Sequence, residues 1–128
     1  MKQRLFITFL TGIFFLKLSA QQTTITGPAG SENFGSSITV LTNGNYVVAD
    51  RLYDEGATLN VGAVYLYNGN THALISVLKD STANDQIGSG GIVVLTNGNF
   101  VVVSSVWDNG AITNAGAVTW CSGATGLT

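Results

Sequence analysis

Beyond residue 20, apolar residues occur in short islands separated by Gly, Asn, Asp and Thr, which is the pattern of β-strands joined by turns. The first four islands are rich in Val, Ile, Leu and Tyr and cover Ile38–Leu41, Tyr46–Leu52, Val61–Tyr67 and Ala73–Leu78. No long stretch beyond residue 20 has apolar residues at helical spacing. The pattern therefore predicts an all-β protein.

The islands occur twice. Residues 40–48 read VLTNGNYVV and residues 94–102 read VLTNGNFVV, while GAVY at residues 62–65 returns as GAVT at residues 116–119. Leu41 corresponds to Leu95 and Gly62 to Gly116, so both motifs have the same period of 54 residues. A constant period of this length indicates tandem repeats, each forming one unit of supersecondary structure.

Asn-Gly pairs lie between the first two islands of each copy. They are Asn43 with Gly44 and Asn97 with Gly98. Asn and Gly tolerate the positive backbone dihedrals of a tight hairpin turn. Each pair is therefore predicted to be a structural turn that joins two adjacent antiparallel strands.

Several islands are apolar on both faces, as in residues 63–67 and 101–103. Because successive side chains of a strand point to opposite faces, these strands must be covered on both sides. Four short strands in each 54-residue period, stacked face to face, describe tandem four-stranded antiparallel blades of the β-propeller type, about two of them in an incomplete propeller. A β-sandwich is the alternative, and a parallel β-helix fits less well because the hairpins imply antiparallel pairing.

The N-terminal twenty residues have the three regions of a secretory signal peptide. Lys2 and Arg4 precede a mostly apolar run from Leu5 to Leu16, and Ala20 offers a small-residue cleavage site. A transmembrane anchor is the alternative, but the apolar run is shorter than a bilayer requires. We expect an exported chain that does not span the membrane after cleavage, and that is secreted or held at the cell surface.

The repeat divides the remainder into three parts. Residues 21–33 are predicted to form the outer strand of a preceding blade and a linker, residues 34–86 the first repeat, and residues 87–128 a second repeat that is incomplete at its C-terminal end. Two blades cannot close a ring, and each end blade would expose an apolar face. The sequence is therefore expected either to belong to a longer array or to assemble from several copies.

Charge and cysteine content exclude some classes of partner. Without the leader, Arg51 and Lys79 are the two basic residues against seven Asp and Glu, a net charge of about −5. Nucleic acid is then an unexpected partner, because such binding depends on Lys and Arg that neutralise phosphates. Cys121 is the single cysteine, so no internal disulfide forms; it is either a buried thiol or part of an intermolecular disulfide.

The motifs resemble a known family. Residues 82–91 (TANDQIGSGG), 95–102 (LTNGNFVV), 107–110 (WDNG) and 116–120 (GAVTW) resemble a repeat of unassigned function that occurs in tandem in large secreted bacterial proteins. More distantly, FGSS at residues 34–37 and GAVYLY at residues 62–67 are similar to the FG-GAP blade of integrin-type propellers. The acidic calcium loop of such blades is replaced by the neutral residues 41–45, so the resemblance implies no metal site here.

Two sets of loop residues are candidate ligand contacts. Asp54 and Asn60, repeated as Asp108 and Asn114, carry oxygen atoms that can bind calcium or a sugar hydroxyl, or can brace their own loop backbone. Tyr53 and Trp107 can stack on sugar rings or pack between neighbouring blades.

No catalytic or metal-binding set is predicted. His72 is the single histidine and has no counterpart in the second copy, where Gly126 takes its place. The sequence therefore predicts a non-enzymatic exported repeat protein without a cofactor, acting as a structural, adhesive or interaction module. The alternatives are a lectin-like propeller that several two-blade chains assemble around a glycan, and a piece of an enzyme whose catalytic residues lie elsewhere. A protein or glycan partner, neighbouring blades and self-association all remain open.

Overall fold

The computed structural model describes residues 21–126, which form seven β-strands in two antiparallel sheets. Sheet 1 has the strand order β1 (Ser37–Val40), β2 (Tyr46–Asp50), β3 (Ala63–Tyr67) and β4 (Leu74–Lys79). Sheet 2 has the order β5 (Gly91–Val94), β6 (Phe100–Ser104) and β7 (Ala117–Cys121). The described residues contain no helix, so the all-β prediction is confirmed. The predicted leader, residues 1–20, lies outside them.

Each Asn-Gly pair lies in the connection between two adjacent antiparallel strands, as predicted. Five residues link β1 to β2, and the loop is closed by Leu41 N donating to Asn45 O at 2.8 Å and Gly44 N donating to Leu41 O at 3.0 Å. Gly44 has a positive φ of 87°, whereas Asn43 uses its side-chain oxygen to accept from Asn45 N. A single left-handed position is enough here because the asparagine side chain provides the second constraint.

The two sheets pack face to face through an apolar core, which we call the central cluster. It contains Leu41, Val47, Ala49, Val64 and Leu66 from the first repeat, and Ile87, Phe100, Val102 and Cys121 from the second. Alternation along β2 and β3 directs these side chains of sheet 1 toward sheet 2. The energetic link between the repeats is therefore burial of apolar surface rather than a shared hydrogen-bonded ladder.

The opposite side of sheet 1 carries a second core, the outer cluster, made of Val48, Ala63, Tyr65 and Tyr67. Ile25, Phe34, Tyr46 and Tyr53 pack against it. Residues 21–28 contain no strand, but Ile25 in this segment packs against the outer cluster. Leu78 of β4 packs against the central cluster in a similar way. The central strands β2 and β3 of sheet 1 are thus covered on both sides, which explains why they are apolar on both faces.

The period of 54 residues makes the two faces of each sheet comparable. We call one side of each sheet the leading face. It carries Val48 and Tyr65 in sheet 1, and the corresponding Val102 and Thr119 in sheet 2. The other side is the trailing face, which carries Val64 and Leu66 in sheet 1 and the corresponding Val118 and Trp120 in sheet 2. The central cluster forms where the trailing face of sheet 1 meets the leading face of sheet 2. The stack is therefore directional, with both repeats facing the same way.

The predicted four-stranded unit is complete in sheet 1. Within residues 21–126, sheet 2 has three strands, with β5 and β7 at its edges, and the two sheets do not close into a ring. The structure therefore shows two stacked antiparallel sheets of four and three strands.

Candidate functional site

The acidic loops that were candidate ligand sites are tied to their own backbone. Asp54 accepts a hydrogen bond from Asn60 N at 2.7 Å, and Asp108 accepts one from Asn114 N at 2.6 Å. Asn60 and Asn114 both have positive φ, 54° and 52°. The carboxylate in each repeat therefore stabilises a left-handed asparagine six residues later, and one of its oxygens is occupied by this bond.

The two candidate aromatic residues pack beside different cores. Tyr53 packs against the outer cluster, edge-on to Tyr65 with ring centroids 6.4 Å apart. Trp107 packs against the central cluster, and its Nε1 donates to Asp80 Oδ2 at 2.8 Å. Both are partly buried at their sheet's leading face, so the structure places the pair in equivalent positions without bringing them together.

The hairpin of the first repeat is bonded to the second repeat. Asn43 Nδ2 and Asn45 Nδ2 both donate to Gly123 O, at 2.9 and 2.8 Å. Asn45 Oδ1 also accepts from Gly69 N at 3.2 Å, and Asn99 Oδ1 accepts from Gly123 N at 3.1 Å in the same way. The LTNGN motif therefore holds its own sheet and reaches the next one, a role for its second asparagine that the sequence did not reveal.

Two carboxyl groups meet at the junction between the repeats, at a place that sequence reasoning missed. Asp85 is buried and accepts from Asp108 N at 3.1 Å, while Asp80 accepts from Ser81 N at 2.7 Å and from the indole of Trp107. The second oxygen of Asp85, Oδ2, is buried without a hydrogen-bond partner, and the Asp80 carboxyl group lies close enough for each group to shift the pKa of the other. The signal that could have found this pair is the spacing of two acidic residues just before the second repeat, opposite its tryptophan.

The two carboxyl groups differ in acidity. Burial raises the pKa of Asp85, and the negative charge of Asp80 raises it further, against the lowering effect of the Asp108 N–H. Burial also raises the pKa of Asp80, but the hydrogen bonds from Ser81 N and Trp107, together with the neighbouring Asp85 carboxyl group, outweigh it and leave that pKa below its usual range. Asp85 is therefore the member of the pair that holds the proton more tightly.

This difference predicts opposite effects of two isosteric substitutions. Because the folded state raises the pKa of Asp85, its contribution to stability is present at pH values below the unfolded pKa and is lost as the pH rises through the folded pKa. We expect Asp85→Asn to raise the free energy of unfolding at pH 7 by about 1 kcal/mol, since the amide still accepts from Asp108 N and can donate to Asp80.

Asp80→Asn is the matched control. It should lower stability at neutral pH, because Asp80 contributes most when charged and bonded to Trp107. Thermal unfolding of both variants between pH 3 and pH 8 checks the pair. Equal shifts of the same sign in the two variants would contradict the assignment.

A pocket of about 380 Å³ opens on the leading face of sheet 1. Residues 26–28 form one wall, and the remaining lining consists of Tyr53, Tyr65, Tyr67, Leu74, Val77 and Lys79. Lys79 is paired with Glu55 and its Nζ lies 5.9 Å from the centroid of the Tyr53 ring. Burial raises the pKa of the tyrosines that line it, so their hydroxyls are neutral donors at physiological pH. The pocket thus combines aromatic walls with one cation.

Large apolar side chains are exposed on both ends of the stack. On the trailing face of sheet 2, Val118 is 72% and Trp120 47% exposed, whereas the corresponding Val64 and Leu66 are 2% and 1% exposed. On the leading face of sheet 1, Ile38 and Val40 are exposed, while the corresponding Ile92 and Val94 pack against the central cluster. Positions that are buried between the two sheets are thus uncovered where no neighbouring sheet lies.

The remaining candidates carry little chemistry. His72 is exposed and lies 3.3 Å from the Tyr46 hydroxyl through its Nδ1. Cys121 is buried in the central cluster, and burial raises the pKa of its thiol. Residues 21–126 contain no group of three or more His, Cys, Asp or Glu residues arranged to hold a metal ion. Within the same residues, no helix has the length and apolar character needed to cross a membrane.

Comparison with known proteins agrees with the internal period. A family model described as "Repeat of unknown function (DUF5650)" matches residues 40–89 and matches again at residues 94–128. No curated protein and no solved structure gives a significant match. The first matched segment covers β2 to β4 and only Val40 of β1, and the second covers β6 and β7 and only Val94 of β5, so each match falls mainly on one sheet.

Proposed function

Because the chain belongs to this family of repeats of unknown function, we propose that it is a non-enzymatic, exported module that acts structurally or adhesively at the bacterial surface or outside the cell. In this proposal each repeat is a propeller-type blade, similar to an FG-GAP blade, and the chain works as part of a longer array of such blades. The leader-like residues 1–20 support export.

The observation that carries this proposal is the reuse of one packing surface. The face of sheet 1 that sheet 2 buries reappears, position for position, on the outside of sheet 2. A unit whose two faces fit one another can be stacked repeatedly, and its stability then depends on its neighbours. Such a unit presents a periodic row of loops, including those at Asp54 and Asp108, which suits a scaffold or an adhesive surface.

Export is the first step to test. Expression of the full chain in a bacterial host should give a processed protein outside the cytoplasm that begins at Gln21, as determined by N-terminal sequencing. A variant with Leu10→Arg and Phe14→Arg in the apolar run should remain unprocessed in the cytoplasm. The same chain with Ile112→Arg, an exposed loop position, is the control and should be exported normally. Cytoplasmic retention of the unaltered chain would rule out an exported module.

Adhesion is the second step. Polystyrene beads that carry the exported chain should bind to cells or extracellular matrix more than beads that carry a protein of the same net charge. Binding that matches the charge control would leave a structural role as the remaining form of the proposal.

A lectin-like binder is the second candidate, and the pocket on sheet 1 is the observation that favours it. Tyrosine rings can stack on the apolar face of a sugar, and Lys79 can bond its hydroxyl groups. In this form of the proposal, several chains would assemble so that sugar sites lie between blades.

A glycan array tests the lectin-like candidate. Binding by the exported chain that is lost in Leu74→Lys and Lys79→Ala, but kept in Ile112→Lys, would place a glycan in this pocket. All three positions are exposed, so these substitutions should leave the fold intact. A chain that binds no glycan would argue against this candidate.

A further inference from the structure

We propose that the chain binds a second copy of itself head to tail, with the trailing face of sheet 2 in one copy docked on the leading face of sheet 1 in the other. This inference rests on the proposed stacking function and names its partner. The interface would repeat the contact that already joins the two sheets within one chain.

The first argument is the match between the exposed parts of the two end faces and the face that is covered inside the chain. Inside the chain, the trailing-face residue Val64 is buried by sheet 2, and the leading-face residue Val94 packs against the same cluster. The corresponding Val118 and Val40 are 72% and 69% exposed. Each end of the molecule therefore presents one half of an interface whose complete form the structure contains.

The second argument concerns the strand arrangement. Ile25 aligns with Leu78, and Phe34 aligns with Ile87. Ile25 and Phe34 pack against the outer cluster, whereas Leu78 and Ile87 belong to or pack against the central cluster. Residues 23–26 thus lie over sheet 1 where a fourth strand of a preceding sheet would lie. In the described residues, β7 is an edge strand of the three-stranded sheet 2. Docking would place β7 of one copy beside residues 23–26 of the other. The backbone N–H and C=O groups of these two segments could then form hydrogen bonds with each other.

The third argument is a polar register. Within the chain, Asn43 and Asn45 donate to Gly123 O. One period later in the sequence, the two donors correspond to Asn97 and Asn99. One period earlier, the acceptor Gly123 corresponds to Gly69. In the docked pair, Asn97 and Asn99 of one copy would reach Gly69 O of the other. The apolar faces and the asparagine bridge thus specify the same alignment.

The association is directional because the two faces differ in chemistry. The leading face of sheet 1 carries tyrosines and the pocket, whereas the trailing face of sheet 2 carries valines and Trp120. A contact between unlike faces leaves one free face on each copy, so the assembly can grow or close into a ring. The same docking would fill the pocket above Tyr67, which explains why an aromatic hollow lies there.

Analytical ultracentrifugation of the exported chain tests the proposal. Val118→Lys places a charge on the trailing face of sheet 2, and Val40→Lys places one on the leading face of sheet 1. Both positions are exposed, so the circular dichroism spectrum and the melting temperature of each variant should stay close to those of the unaltered chain. Leu59→Lys and Ile112→Lys are matched controls, because both are exposed apolar loop residues away from the two faces.

We expect the unaltered chain and both controls to show a sedimentation mass that rises with concentration up to about 1 mM, the weak end of specific association. Val118→Lys and Val40→Lys should each remain monomeric. An equimolar mixture of these two variants should form a dimer and nothing larger, because one intact leading face and one intact trailing face remain.

Three results would overturn the proposal. They are a monomeric unaltered chain at every concentration, a Val40→Lys variant that dimerises alone through two trailing faces, and loss of association in the loop controls. An unaltered chain that stays monomeric but binds glycans through the pocket would assign that face to a sugar instead. None of these results bears on leader-dependent export, so failure of the self-association and failure of the proposed function are distinguishable.

Discussion

Val64→Asp is expected to abolish cooperative folding, whereas Val118→Asp, the same substitution at the same repeat position, should leave the fold intact. Val64 is 2% exposed in the central cluster, where an aspartate would be an unpaired charge without a hydrogen-bond partner. The expected loss is about 4 kcal/mol or more, which is most of the stability of a small domain. Val118 is 72% exposed, so the cost there is limited to strand propensity, about 1 kcal/mol or less.

Urea unfolding followed by circular dichroism measures both effects. The comparison is informative because residue type and repeat position are identical. Val118 differs in having no neighbouring sheet on its face and, within residues 21–126, no fourth strand beside β7. Measurement at low protein concentration separates folding from association, since Val118 also belongs to the proposed docking face. A similar loss of stability in the two variants would show that the central cluster does not join the repeats.

Where Val64→Asp does not accumulate in cells, Leu66→Ala provides a milder form of the same comparison. Truncation of this buried leucine should cost about 2–5 kcal/mol, since it removes apolar contacts and leaves a cavity. Trp120→Ala at the corresponding exposed position should cost less than about 1 kcal/mol.

The all-β class, the repeat and the approximate strands could be predicted because they depend on local patterns. The four predicted islands of the first repeat overlap β1 to β4, with boundaries that differ by one or two residues at most ends. Strand ends are less predictable because Leu41 and Leu52, for example, are apolar yet lie outside the ladders. The coverage of β3 on both sides also followed from the sequence, because this strand is apolar at every position.

The contacts between repeats were less predictable because they depend on residues far apart in the chain. Asn43 was predicted as a turn residue and Asn45 was given no role, and nothing local shows that their amides reach Gly123, about one and a half periods away. The Asp80–Asp85 pair was missed for a similar reason: the sequence shows two acidic residues before the second repeat but does not show that Asp85 is buried at the junction. For Asp54 and Asp108, the sequence did offer loop bracing as an interpretation, and the structure shows such bonds to Asn60 N and Asn114 N.

Gly62→Ala is expected to be strongly destabilising, and Gly116→Ala, its counterpart one period later, only moderately so. Both glycines have a positive φ, 76° and 75°, so an added methyl group costs a similar strain of about 1–2 kcal/mol at each. At Gly62 the new Cβ would also overlap the backbone of Gln86 and Ile87, which is the linker into the second repeat. At Gly116 the nearest atom would be Ser105 O at 3.6 Å, an ordinary contact.

The difference between the two variants therefore measures the closeness of one repeat to the next. Ile87 N donates to Val61 O at 3.0 Å beside Gly62, so the linker cannot move away without losing this bond and the packing of Ile87 in the central cluster. We expect Gly62→Ala to cost about 1–3 kcal/mol more than Gly116→Ala, as for other overpacked sites, in chemical unfolding at low protein concentration.

Equal costs for the two substitutions would mean that the linker yields freely and that the repeats are joined mainly by their apolar faces. A further test follows from the proposed head-to-tail contact. In the assembled form, the segment before a second copy's first sheet would approach Gly116, so Gly116→Ala should weaken association although it is tolerated in the monomer. An unchanged association in this variant, together with the expected loss in Gly62→Ala, would indicate that the contact between copies lacks the close linker approach found within the chain.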